Sequence, residues 1–400
     1  MTDKVKIITE IFDRFVGNTY PNKEAVFDAL KNKKLKIYLG IDPTGPHLHL
    51  GHATNLIVLK KLQKLGHEIV LLIGDFTARI GDPTDRLAAR KPLTAAEVRK
   101  NLKTFKAQAA KIINFSGPNA VRLVFNSKWH AKMTFEKVIE LASHFTEQQI
   151  IERDMFRDRL KTGRVIGLHE FLYPLMQGYD SVALNVDMEI GGTDQTFNML
   201  AGRKLQKIFN RKEKFVLTTK LLEHPQTGKK LMNKSEGGLI NLDDAPDEMF
   251  GKLMALDDAS MFPIARLSTE MPLARLSELE TKVKNKTLNP RDAKIEIAEE
   301  VVSLYCGKKE AKRARKEFVR VFSKKEAPEE AEKLEIMNKN IGAVDLLIAA
   351  GVKSRSEARR LIEQGAVSVD NAAITDPDQK VASGKILKIG KHRFFEIVWK

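Results

Sequence analysis

Apolar and polar positions alternate along this chain in two periods. Lys36 to Ile41 (KIYLGI) is a short apolar run, Pro43, Gly45 and Pro46 break it, and apolar residues return at helical spacing from Gly51 to Leu65. That pattern predicts a strand, a tight turn and a helix start. His67 to Gly74 (HEIVLLIG) is continuously aliphatic, as buried parallel strands are. A helix over Thr94 to Phe115, a strand at Val121 to Phe125 and a turn at Asn126 to Trp129 extend the rhythm of strand and helix. Val182 to Ile190 alternates as a strand, and Gly191 to Gln195 turns into a helix over Thr196 to Phe209, repeating the design of the first junction. The expected class is α/β, a doubly wound parallel sheet of Rossmann-like form.

Other stretches break that rhythm. Residues up to about Lys34 read as a helical, basic lead-in. Ala131 to Thr162 reads as charged amphipathic helices, an insertion with the character of an association surface. Ala245 to Phe322 is helical and charged, and Lys324 to Leu334 (KKEAPEEAEKL) is linker-like. From Asn340 a separate small α+β unit is expected: helices at Val344 to Ala350 and Ser354 to Gln364, then strands at Ala366 to Val369, Lys385 to Ile389 and Phe394 to Val398. The expected domains are therefore residues 1–240 with an insertion near 131–165, a helical 245–325, a linker 326–338 and a terminal 340–400.

Composition narrows the partners. Lys plus Arg number 68 against 52 Asp plus Glu, a net charge of +16, which favours a polyanion such as nucleic acid. Arg355 and Arg359 share one side of a helix with Arg360 beside them, a patch suited to RNA backbone. The one cysteine, Cys306, excludes an intrachain disulfide and a cysteine-rich zinc knuckle, as a reducing cytoplasm would allow. The acidic first turns carry no signal peptide, and runs such as Ile69 to Ile73 fall far short of the roughly 20 apolar residues a membrane helix needs. A soluble, cytoplasmic protein with no structural metal is expected.

The first strand–turn–helix junction lies where α/β sheets bind nucleotides. There His49-Leu50-Gly51-His52 sets two imidazoles about 60° apart in helical projection, with a glycine that would let a flat base approach. A metal pair would need a third ligand and a base, as in H-E-x-x-H, and neither is adjacent. Asp75, Thr77, Asp82, Arg86 and Arg90 follow the second strand, either as an active-site loop or as a solvated one. In His169 to Asp180 (HEFLYPLMQGYD), Tyr173, Gln177 and Asp180 fall at i, i+4 and i+7, within an arc of about 60°. Periodicity alone favours a structural hydrogen-bond network there over a ligand, and Pro174 predicts a kink or a late start. Asp194 is placed either to accept from ribose hydroxyls or to cap a helix. Thr227 to Gly238 (TGKKLMNKSEGG) is a basic loop carrying Lys229, Lys230 and Lys234, able to stabilise a departing pyrophosphate or simply solvated.

In this order the motifs resemble the bacterial-type tyrosyl-tRNA synthetases, which are class I aminoacyl-tRNA synthetases. His49 to His52 is similar to their HIGH signature and Leu231 to Ser235 to their KMSKS signature. YLGIDPT at Tyr38, IGDPT at Ile80, FLYPLMQGYD at Phe171, GGTDQ at Gly191 and NPRD at Asn289 agree. Residues from Asn340, with SEARRLIEQGAVSVD, resemble a small RNA-binding domain shared with a small-subunit ribosomal protein and some pseudouridine synthases.

The resemblance implies that Tyr38 and Asp180 hold a substrate phenol, that Tyr173, Gln177 and Asp82 bind its amino group, and that Gln195 lies by its carboxyl end. It implies ATP contacts from Asp42, Thr44, His49, Gly51, His52, Gly192, Asp194 and Met232, with Asp194 and Gly192 at the ribose. Arg86, Arg90 and Lys234 would stabilise pyrophosphate. Leu231 and Asn233 stand where the signature has Lys and Ser, so Lys230 is the candidate for the missing charge. ATP with Mg²⁺ as a substrate complex, no tightly bound cofactor, L-tyrosine and tRNA(Tyr) as partners, an anticodon-binding helical domain and a homodimer formed through the insertion complete the implication. Two alternatives remain: a tryptophanyl-tRNA synthetase, which Tyr38 and Asp180 argue against, and a catalytically idle RNA-binding paralogue, favoured by the altered loop.

Overall fold

A computed structural model describes residues 2–84, 93–152, 154–232, 238–323, 332–337, 340–370, 372–382, 386–390 and 393–400. They form two compact units, residues 1–311 and 312–400. The first is built on six strands: β1 (Val16–Tyr20), β2 (Lys36–Ile41), β3 (Glu68–Ile73), β4 (Arg122–Phe125), β5 (Met188–Gly192) and β6 (Phe215–Thr219). Their spatial order is β1-β6-β5-β2-β3-β4. All neighbours run parallel except β1, which pairs antiparallel with β6. The sheet is thus the expected doubly wound one with an antiparallel edge.

Two elements depart from the periodicity. The lead-in contains β1, a strand with a glycine and an asparagine at its centre. Val182 to Leu184 closes a helix, Tyr173–Leu184, rather than opening a strand; Asn185 ends it in a left-handed conformation at φ 48°, and β5 starts at Met188. The helix starts at Tyr173 with Pro174 in its first turn, where a missing N–H costs nothing. The stretch Thr94 to Phe115 is two helices, Ala95–Leu102 and Phe105–Ala109. The insertion is helical as expected, with helices Phe135–Ser143, Glu147–Ile151 and Asp154–Lys161.

The helix Leu50–Lys64 after β2 is buried around much of its circumference, through Ala53, Leu56, Ile57, Val58, Leu59 and Leu62. A helix apolar on more than one side is covered on more than one side. The sheet lies on one flank and the helix Met261–Ser268 packs on another. Arg14, at the end of the helix Asp3–Arg14, is wholly buried and donates to the carbonyls of Ala265, Thr269 and Met271 at 2.9, 2.7 and 2.7 Å. It caps the end of Met261–Ser268, so the helices from Pro246 to Cys306 belong to the same compact unit as the sheet.

The second unit has strands β7 (Glu332–Ile336), β8 (Ile341–Gly342), β9 (Val367–Val369), β10 (Ala372–Ala373), β11 (Lys380–Val381), β12 (Ile386–Ile389) and β13 (Arg393–Trp399). Five form a sheet in the order β10-β9-β12-β13-β7, against which the helices Ala343–Ala349 and Arg355–Glu363 bury Leu346, Leu347, Ala358 and Ile362. β7 pairs parallel with β13, so residues expected to be linker are an edge strand of this unit. Among the described residues no helix is long and apolar enough to cross a membrane.

Candidate active site

A cavity of about 370 Å³ opens at the carboxyl ends of β2, β3 and β5. At its closed end are Tyr38, from β2, and Asp180, from the helix Tyr173–Leu184. The Asp180 carboxylate is fixed by three donors. His130 Nε2 at 2.7 Å and Trp129 Nε1 at 2.8 Å converge on Oδ1, while Oδ2 receives only Asn126 Nδ2 at 3.3 Å. Burial raises the Asp180 pKa, and those donors oppose the rise. Tyr38 is fully buried, its hydroxyl 3.0 Å from Ser181 Oγ. Burial, then the charges of Glu189 and Asp180, push its pKa well up, so Tyr38 keeps its proton.

Beside this end Tyr173, Gln177 and Asp180 share one stripe, as their spacing predicts, and that stripe lines the cavity. Tyr173 donates to Asp42 Oδ2 at 2.9 Å and Thr77 to Asp42 Oδ1 at 2.7 Å. Burial raises the Asp42 pKa to about 7, against the hydrogen bonds from Thr77 and Tyr173 and with help from the charges of Asp82 and Asp180. Only glycine fits at Gly74, where a Cβ would lie 1.8 Å from Asp42 Oδ1. Gln177 donates to Glu189 at 3.1 Å, Asn198 bridges Gln177 and Gln195 at 3.0 Å each, and Gln195 donates to Asp82 at 2.7 Å. The stripe is therefore both a structural network and a cavity wall. Asp75 serves the fold instead, accepting from the Ser127 N–H at 2.9 Å.

At the open end, His49 is the N-cap of the helix Leu50–Lys64. Its Nδ1 accepts from the Gly51 N–H, and the His49 N–H donates to His52 Nδ1, both at 3.2 Å. The rings stand 4.1 Å apart between centroids. Both imidazoles thus use Nδ1 on backbone and sit together at a helix N-terminus, where N–H groups and the helix dipole favour phosphate. Gly192 must lack a side chain, because a Cβ would meet Asp194 Oδ1 at 2.4 Å. Lys230 Nζ lies 2.7 Å from Asp194 Oδ2. Thr44 and Met232 also line the cavity. Arg86, Arg90 and Lys234 lie outside the described residues.

The sequence reading missed one connection: Leu50 N–H donates to the Ile240 carbonyl at 3.1 Å and Leu242 N–H to that of Leu48 at 2.8 Å. The first signature segment is therefore tied by backbone to the stretch that follows the basic loop. It also missed His130, Ser181, Glu189 and Lys214, whose neighbours are remote in sequence. Among the described residues no group of three or more metal-ligating side chains exists.

The family model of tRNA synthetases class I (W and Y) matches residues 30–323. The chain belongs to that family. An S4 domain model matches residues 344–387 of this synthetase, within the second compact unit. A tyrosine–tRNA ligase of Thermotoga maritima is 46% identical over 94% of both chains. That of Carboxydothermus hydrogenoformans is 42% identical over 100% of this chain and 99% of its own. Among solved structures, a truncated mitochondrial tyrosyl-tRNA synthetase of Coccidioides posadasii superposes with a TM-score of 0.63 at 25% identity, over 78% of this chain and 91% of its own.

Proposed function

We infer that this synthetase activates L-tyrosine with ATP and transfers it to tRNA(Tyr). The carrying observation is the closed end of the cavity, where a protonated phenol, Tyr38, and a carboxylate with an open Oδ2 edge, Asp180, meet among apolar residues. A substrate phenol both donates and accepts, and so satisfies that pair. An indole has a donor alone, which argues against tryptophan. A site built to hydrogen-bond a hydroxyl rejects the analogue lacking it, and tyrosine-activating enzymes are the standard case of this rule.

The substrate carboxylate attacks the α-phosphate, giving tyrosyl-adenylate and pyrophosphate, and the terminal ribose of the tRNA then attacks the activated carbonyl. The protein supplies position and charge. Tyr173, Gln177 and Asp82 surround the place of the amino group, Gln195 lies toward the carboxyl end, and Asp194 with Gly192 faces the ribose. His49 and His52 meet the phosphates, with ATP taken as its Mg²⁺ complex. Arg86, Arg90, Lys230 and Lys234 are the cations proposed for pyrophosphate. Each well-aimed donor of this kind is worth roughly 10²–10³ in rate.

The working form proposed is a cytoplasmic homodimer. Phe135 and Val165 of the insertion and Leu168 just after it are each about four-fifths exposed, an apolar surface suited to a second copy. The S4 domain would grip RNA phosphates. The test is pyrophosphate exchange into ATP with tyrosine, phenylalanine or tryptophan, without tRNA. Exchange with tyrosine alone is expected; none with any of them would favour an idle RNA-binding protein.

A further inference from the structure

Behind the phenol-reading hydroxyl lies an ion pair that the reaction itself does not use. Lys214 and Glu189 are both buried, 0% and 2% exposed, and Lys214 Nζ donates to Glu189 Oε2. The same ammonium donates to Ser181 Oγ at 2.8 Å, and Ser181 Oγ lies 3.0 Å from the Tyr38 hydroxyl. Glu189 Oε1 holds Gln177 from the other side at 3.1 Å.

The direction of these hydrogen bonds follows from the donor inventory. An ammonium can only donate, so Ser181 Oγ accepts from Lys214 and its own proton must go elsewhere. Two oxygens are in reach: Glu189 Oε2, a poor 3.4 Å away and already matched to Lys214, and the Tyr38 oxygen at 3.0 Å. The shorter bond takes the proton. Tyr38 then accepts from Ser181; its own proton has Glu189 as a competing acceptor, and Lys214, matched to Glu189 Oε2, weakens that competitor in favour of the cavity. We propose that Lys214, acting through Ser181, is a positioning residue that sets Tyr38 as a hydrogen-bond donor to the substrate phenol, with Asp180 left as the acceptor. Without a cation at this place Ser181 can donate to residue 189 and accept from Tyr38. The proton that should meet the substrate would then be diverted into the protein.

Gly202 gives the arrangement its room. A Cβ there would lie 2.5 Å from Lys214 Nζ and 2.7 Å from Ser181 Oγ, so the pair approaches a bare helix backbone. Lys214 stands 33 residues from Ser181 and 25 from Glu189, so the device is assembled by the sheet and not by local sequence.

This inference rests on the tyrosine-activating reading, and the test separates the two. Tyrosine-dependent and phenylalanine-dependent pyrophosphate exchange are measured for the wild-type protein, Ser181→Ala, and Lys214→Met with Glu189→Gln, each also in a Tyr38→Phe background. The paired change leaves no unmatched buried charge. The charge-neutral pair should raise KM for tyrosine about tenfold, the value of one misdirected hydrogen bond, and leave KM for phenylalanine nearly unchanged. Ser181→Ala, which leaves the ion pair intact and diverts no proton, should cost tyrosine less, about threefold. Both effects should vanish in the Tyr38→Phe background, which a merely structural role would not produce. Equal losses for the two amino acids, or losses undiminished by Tyr38→Phe, would overturn the proposal. If the charge-neutral pair does not fold, Ser181→Ala decides it by the same comparison. A wild-type protein with no tyrosine-dependent exchange overturns the reading of the enzyme and this inference with it.

Discussion

Asp42, enclosed with Asp82 and Asp180 at the cavity wall, holds a proton up to pH about 7. Its folded pKa lies above the ordinary 3.8, so between these values the folded chain binds a proton that the unfolded chain has lost. This group's contribution to stability therefore declines as pH rises from about 4 to 7. Substrate binding should run the other way. An ammonium arriving beside Tyr173 favours ionised Asp42, so affinity for tyrosine should rise as pH approaches about 7 from below. Tyrosine titrations across this range should show that limb in the wild type and lose it in Asp42→Asn. A limb that persists in the variant belongs to another group.

Lys230 is the second residue with a definite expectation. Its ammonium sits on Oδ2 of Asp194, the carboxylate proposed for the ribose. Lys230→Met should slow adenylate formation by at least about tenfold without raising KM for ATP, since an interaction made only in the transition state falls on kcat. Quenched-flow measurement of the first turnover checks this. A raised KM with kcat unchanged would make Lys230 a ground-state nucleotide ligand instead.

At the scale of elements, legibility followed locality. β3 was plain because five of its six residues, EIVLLI, are buried on both faces of a parallel sheet and carry the pattern in themselves. The stripe of Tyr173, Gln177 and Asp180 was plain because one helix sets its geometry. β1 was not: VGNTY has a glycine and an asparagine where strands favour branched residues, and it becomes a strand only by pairing with β6, about 200 positions away. Val182 to Leu184 misled for the complementary reason, since three apolar residues fit the end of a buried helix as well as the start of a strand. Lys214 and Glu189 were invisible as site residues because a lone charge in sequence reads as solvent-facing until the fold buries its partner beside it.

The Arg14 cap is likewise an element-scale device. Removing it strands the carbonyls of Thr269 and Met271 in the interior and leaves that of Ala265 with the Thr269 hydroxyl alone. Arg14→Ala should cost about 3 kcal/mol, the loss of several charge-assisted bonds to groups that stay buried. Urea unfolding should show it as a lower midpoint. Arg14→Lys should recover little, because one ammonium lacks the planar fork that reaches all three.

For the molecule as a whole, β7 changes where the chain can be divided. A truncation at the end of the expected linker would leave β7 without its parallel partner β13, so the cut belongs before β7, after Ser323. The shortened protein, residues 1–323, should keep tyrosine-dependent pyrophosphate exchange and lose affinity for tRNA. Its log affinity should fall less steeply with log salt, because fewer phosphates are neutralised. Unimpaired charging would remove the second unit from the tRNA-binding surface. The net charge of +16 gives that experiment its lever, since electrostatic association responds to ionic strength and packing does not.

β1 also carries a consequence in time. During synthesis it leaves the ribosome about 200 residues before β6 exists, a wait of roughly 10–40 s at ordinary elongation rates. Through that interval it is an unpaired edge, the kind of segment that recruits strands from neighbouring chains. Gly17, Asn18 and Thr19, which hid the strand from its own sequence, make it a poor template while it waits. The half-polar edge that closes the sheet last is the edge least able to close it with the wrong partner.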